Sequence, residues 1–160
     1  MKQLFKHLMA RYRTDNELDM DGILAPAPTK YKKSGLTHEQ AEIIKHKIDR
    51  ALEQDKLYRN NEIGLGELAE YIQRDRYKVS EVINTYYAKN FYALLNSYRI
   101  NEAKHLLVSN PLLSVKAIMY EVGFNSKNSF YLAFKRDTGL SPNDFRTHES
   151  FNYHSPQLAS

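Results

Sequence analysis

The chain has 160 residues, 42% hydrophobic and 12% aromatic, enough for one ordinary globular domain or two very small ones and unlike a disordered chain. It contains no cysteine, which excludes disulfide frameworks, thiolate metal sites and cysteine nucleophiles and agrees with a reducing cytoplasm. Twenty-three Lys and Arg against 19 Asp and Glu give a net charge of +4, a mild basic excess that permits a polyanionic partner without requiring one.

The opening stretch MKQLFKHLMARYRTDNELDMDG lacks the apolar core and small-residue cleavage site of a secretory signal, and no apolar run approaches the ~18–20 residues of a spanning helix. A soluble, cytoplasmic protein without a membrane segment is expected. Residues 1–36 read as a linker or flexible N-terminal segment, in which Leu4, Phe5 and Leu8 can line a short basic amphipathic helix. The stretch THEQ from Thr37 has the form of a capping box, with the Thr37 hydroxyl facing the first turn and Gln40 reaching back. Ile44, Ile48, Ala51 and Leu52 then repeat at helical spacing, predicting a helix over roughly 38–54 whose apolar stripe must pack on something.

From Leu65 to Arg146 helical patterns follow one another across very short turns with no convincing alternation of period two, so the fold class is all-α. Leu65, Leu68, Ala69 and Ile72 form a short stripe, and Asp75 is placed to cap a second short helix carrying Val79, Val82 and Ile83. A longer helix from about Asn90 to Val108 follows, closed by Ser109, Asn110 and Pro111. Ser114 can cap a helix with Ile118 and Val122 inside, ended by Gly123 in a left-handed conformation. Another begins near Ser126 with Phe130 and Phe134 inward, and Ser141 followed by Pro142 starts the last one. The remainder, 148–160, reads as a polar, flexible tail.

The chain also contains an internal repeat. LAEYIQRDRYKVSEVINTYYAKNFYALL laid over IMYEVGFNSKNSFYLAFKRDTGLSPNDF pairs Leu68 with Ile118, Ile72 with Val122 and Gln73 with Gly123. After one extra residue it pairs Ile83 with Phe134, Ala88 with Gly139 and Leu94 with Phe145. Each copy is a short helix, a tight turn and a second helix with one polar face, the form of a helix-turn-helix, and a longer helix joins the copies. Because Gln73 and Ala88 stand where the second copy has glycines, a more strained or altered turn is expected in the first copy.

These stretches, LGELAEYI, VSEVIN, NFYALLNSYRINEAKHLL, EVGFNSKNSFYLAFKRDTG and LSPNDFR, resemble the DNA-binding domain of the AraC/XylS family of transcription regulators. The resemblance covers residues 63–147, leaving 37–62 as an N-terminal helix and connection. It implies two helix-turn-helix subdomains joined by a linker helix, each able to set a recognition helix into the major groove of double-stranded DNA. It also implies a regulator, expected to be an activator, with RNA polymerase as a further partner and no cofactor. The stretch KYKKSGLTHEQAEIIKHKIDRALEQDKLY resembles the juxtamembrane helix that precedes this domain in a membrane-linked subgroup, so the chain is read as either a fragment of a longer regulator or a short natural variant.

In the first copy the inward Val79, Val82 and Ile83 leave Arg76, Tyr77, Ser80, Glu81 and Asn84 as the reading face. Arg76 suits a guanine edge or a phosphate, Tyr77 and Ser80 bases or backbone, and Glu81 a cytosine amine. In the second copy Phe130 and Phe134 leave Lys127, Asn128, Tyr131 and Lys135 outward, with Asn128 suited to adenine and Lys127 to guanine or phosphate. Leu132 either meets a thymine methyl or packs, while Arg136 and Arg146 lie near helix ends, where phosphates are met. The six histidines are scattered, and neither a metal set nor a catalytic constellation is legible. The competing reading is a helical protein-interaction module without DNA affinity, in which the Thr37–Leu52 helix pairs with a partner; the same helix is also the candidate surface for a homodimer.

Overall fold

The computed structural model describes residues 35–154, so the expected linker and basic amphipathic helix lie outside the described residues. Every assigned element in that range is helical. The first, α1 (His38–Asp49), starts at the expected capping box: the Gln40 amide donates to Thr37 Oγ1 at 3.2 Å and the Thr37 amide to Gln40 Oε1 at 3.5 Å. Its last part, Arg50–Gln54, widens into a π-helical turn that accompanies burial of the consecutive residues Ala51 and Leu52. Lys56 then turns the chain with φ 49°, and a 3₁₀ turn, Leu57–Arg59, leads towards the two repeated units.

The first unit is α2 (Leu65–Tyr71) and α3 (Arg76–Tyr87); the connecting helix is α4 (Phe91–Ser109). The second unit is α5 (Val115–Glu121) and α6 (Lys127–Thr138), followed by α7 (Pro142–His154). The caps expected at Asp75, Ser114 and Ser141 close their helices, and Asn90 and Ser126 act as caps as well. Asp75 accepts from the amides of Tyr77 and Lys78, Asn90 from Ala93, Ser114 from Ala117, Ser126 from Ser129, and Ser141 from Asp144. At α2, whose Gly64 has no capping side chain, Glu67 instead reaches back to accept from the Gly64 amide at 3.0 Å.

The last helix differs from expectation, because α7 continues through His154 into the stretch read as a tail. No proline or glycine interrupts it over that length, and it packs against both α4 and α6. Phe145 anchors the first turn of that helix against the second core.

Two apolar cores run through the molecule. The first gathers Ile44, Ile48 and Leu52 of the N-terminal helix with Leu68, Val79 and Ile83 and with Leu94 and Leu95 at the start of α4. The second gathers Ile100, Ala103 and Leu107 of α4 with Ile118, Val122, Phe130 and Phe134. The four phenylalanines Phe124, Phe130, Phe134 and Phe145 contact one another ring to ring, with centroids 5.3, 5.8 and 5.4 Å apart in chain order. The stripe of α1 is thus internal: it covers α3 and completes the first core.

Candidate nucleic-acid interface

The turn inside each repeated unit is made by the same backbone device. In the first, the Arg74 amide donates to the Ala69 carbonyl and the Gln73 amide to the Glu70 carbonyl, at 2.9 and 3.0 Å. In the second, Phe124 donates to Met119 and Gly123 to Tyr120, again at 2.9 and 3.0 Å. Both are helix ends of the type in which a left-handed residue lets two amides satisfy the last carbonyls. Gln73 (φ 54°) and Gly123 (φ 92°) hold that position, and Ala88 (φ 50°) and Gly139 (φ 77°) at the ends of the second helices are left-handed too. The first copy therefore keeps the turn and bears its strain on non-glycine residues, rather than adopting a different turn.

This common geometry leaves α3 and α6 with corresponding outward faces. Val79, Val82 and Ile83 seal α3 to the core, while Arg76 is exposed and Tyr77 is 79% exposed. Ser80, Glu81 and Asn84 are half-buried, with the Asn84 amide 3.5 Å from Ser80 Oγ. On α6, Phe130 and Phe134 are fully buried, and Lys127, Asn128, Lys135 and Arg136 are exposed. Tyr131 is half-buried, its ring edge-on to Phe130 at 5.8 Å, and the Lys127 ammonium sits 5.3 Å from the Tyr131 ring centre. That cation–π contact holds Lys127 over the start of the helix.

Leu132 is 63% exposed on the same face as Asn128 and Lys135, so it does not serve the core. Carrying the repeat through position by position pairs Leu132 with Glu81 and Arg136 with the exposed Thr85. Thr85 and Leu132 thus lie on the two outward faces; Thr85 was not singled out from the sequence, although the repeat could have found it. The one acidic residue near the end of α6, Asp137, is bound by Lys104 of α4 at 2.9 Å, which offsets its charge beside Lys135 and Arg136.

Arg146 stands apart. It is half-buried, and its Nη2 donates to the Leu113 carbonyl at 2.7 Å, tying α7 to the loop before α5. Two other arginines that sequence reasoning passed over are engaged inside the molecule. Arg99 is buried at the middle of α4; burial pushes its guanidinium down to about 10, still charged at neutral pH. Arg59 pairs with Glu102 and Glu121.

Two helix-turn-helix units carried by one helix, each with a sealed inner side and a polar outer side on its second helix, define a double helix-turn-helix DNA-binding module. A family model described as a helix-turn-helix domain matches residues 68–148, half of the chain. The chain belongs to the AraC-type helix-turn-helix family, and its family and fold are those of DNA-binding transcription regulators, which are not enzymes. Solved structures share the fold. The C-terminal domain of AraT, a response regulator from Geobacillus stearothermophilus, matches with TM-score 0.61 at 23% identity over 78% of this chain and 97% of that one. The C-terminal domain of the two-component response regulator yesN from Fusobacterium nucleatum matches with TM-score 0.55 at 24% identity, over 68% and 98% respectively. The DNA-binding domain of AdpA, a global transcriptional factor in complex with a target DNA, matches with TM-score 0.59 at 20% identity, over 71% and 96%. No curated protein matches the chain. Among the described residues no helix is long and apolar enough to cross a membrane.

Proposed function

We propose that this protein reads a specific double-stranded DNA sequence by setting α3 and α6 into successive major-groove segments on one face of the duplex, about one helical turn or ~34 Å apart. The observation that carries this is the equivalence of the two outward faces: Arg76 and Lys127 open them, Tyr77 and Asn128 follow, and Ser80 and Tyr131 stand one turn on. In this reading Asn128 takes an adenine edge, Arg76 and Lys127 take guanine or phosphate, and Lys135 and Arg136 take phosphates. Glu81 accepts from a cytosine amine. Arg146, which binds the loop before α5 through Nη2, takes a phosphate with its other donors.

Two motifs in one chain let a monomer cover a non-palindromic site. A homodimer through α1 would have to use the outer side of that helix, where Ile43 is the exposed large apolar residue, because the stripe itself is buried. In the rival reading of a protein-interaction module, the partner of this helix would likewise meet its outer side. Activation of transcription with RNA polymerase as a partner, and residence in the cytoplasm, follow from the family resemblance.

The test is a gel shift on random duplex DNA at increasing salt, followed by selection of bound sites and footprinting. Phosphate neutralisation gives a steep negative salt slope, and two heads give two protected patches one helical turn apart. A salt-insensitive or absent shift supports the interaction module instead, and a single short patch shows that one copy is inert.

A further inference from the structure

The two reading heads have separate cores, and the division falls inside α4, between Leu95 and Ile100. A single helix is a slender bridge between two bodies. At that division lies Arg99, the one buried polar or charged side chain among the described residues, at 7% exposure. Its Nε and Nη2 donate to the carbonyls of Tyr58 and Asn60 at 2.8 and 2.9 Å, and its guanidinium lies 5.3 Å from the Phe124 ring centre in the second core. Tyr58 belongs to the first core and stacks on Tyr98 with centroids 6.0 Å apart. The next residue, Arg59, bonds Glu102 on α4 and, at 2.9 Å, Glu121 at the end of α5. Lys56 reaches the same Glu102 at 3.3 Å. A Cβ at Gly123 would collide with the carbonyl oxygens of Tyr58 and Arg59, so the turn lies directly on the backbone of the second unit.

We infer that the turn over residues 56–60 is a clasp that fixes the spacing and angle of the two reading heads, with Arg59 and Arg99 as positioning residues for DNA recognition. The part concerning DNA rests on the function proposed above; the mechanical part does not. The first core offers Tyr58, the second unit offers Gly123 and the exposed Glu121, and the two arginines tie both to α4 where the cores part. Among the described residues, α4 is the helix that both cores share. Two tethered heads reinforce each other only where their separation matches the separation of their sites, so a clasped protein must reject DNA whose half-sites are shifted.

Because the chain has no cysteine, Glu70→Cys on α2 and Asn143→Cys on α7 can each carry a spin label, one on either head of the full chain. Electron–electron double resonance without DNA should give one narrow distance distribution, which Arg59→Ala broadens and Arg59→Lys, able to keep one carboxylate partner, partly restores. Arg59 is chosen over Arg99 because it is partly exposed and its loss leaves both cores intact; a urea melt checks this. On duplexes obtained by selection, the parent should bind best at one half-site spacing. Arg59→Ala should lose about tenfold on the full site, keep half-site affinity unchanged and tolerate a spacer longer or shorter by one base pair. An equally narrow distance distribution in Arg59→Ala overturns the clasp, as does an equal loss on half-site and full-site duplexes. If no duplex binds at any salt, the DNA reading fails and the distance measurement alone decides the clasp.

Discussion

Replacing Gly123 by alanine isolates what the second helix-turn-helix requires of its turn. Two costs are separable. The backbone at φ 92° is left-handed, which an L side chain resists by about 1–2 kcal/mol. The new Cβ would also meet the carbonyl oxygens of Tyr58 and Arg59, which are backbone atoms and cannot swing aside, adding about 1–3 kcal/mol of overpacking. Gly123→Ala is therefore expected to destabilise by about 2–5 kcal/mol. Gly139→Ala supplies the reference: its φ of 77° is also left-handed, but its Cβ would have nothing within 4 Å, so only the first cost applies, about 1–2 kcal/mol. Ala88→Gly runs the other way, relieving a left-handed alanine at φ 50° and stabilising by about 1 kcal/mol or less. Urea unfolding of the three variants beside the parent reads these as shifts in midpoint at constant slope. Equal losses for Gly123→Ala and Gly139→Ala would refute the collision with the turn.

Three further outcomes are expected. Asn128→Ala should cost about 1–3 kcal/mol on the preferred site and relax selectivity at one base pair, whereas Lys135→Ala should weaken all duplexes alike and lower the salt slope by about one unit, both read by titration across salt. A chain beginning at Ile63 keeps every repeated element but loses Ile44, Ile48 and Leu52 from the first core, about 1.5–3 kcal/mol each, and should leave the first unit unfolded by circular dichroism and amide dispersion. Burial and then Glu53 push Tyr98 up to about 12, while burial and then Asp49 raise Tyr87; the folded state thus holds both phenols neutral where the unfolded chain ionises. Their contribution is full below about pH 10 and is lost as pH rises through the folded values, so melting temperature should fall over that alkaline range, and less steeply in Tyr98→Phe.

Most of the architecture is local in origin, and the sequence by itself determined it. A cap bonds within three residues and an inward face repeats every three or four, so Thr37, Asp75, Ser114 and Ser141 could be placed without any partner in view, as could Phe130 and Phe134. The repeat marked Gln73 and Ala88 against Gly123 and Gly139, and with them the reading faces. It also paired Leu132 with Glu81, though a leucine on a helix surface could not be told from one in a core until its neighbours were present. What tertiary structure alone decided involves contacts between residues far apart along the chain. The stripe of α1 could have faced a partner, and it closes the first core because α3 offers a complementary apolar side. Folding brings the Leu113 carbonyl to Arg146 across 33 positions. Arg59 reaches Glu121 across 62 positions and Arg99 reaches Tyr58 across 41, separations at which charge and spacing in one dimension carry no information about which guanidinium meets which oxygen.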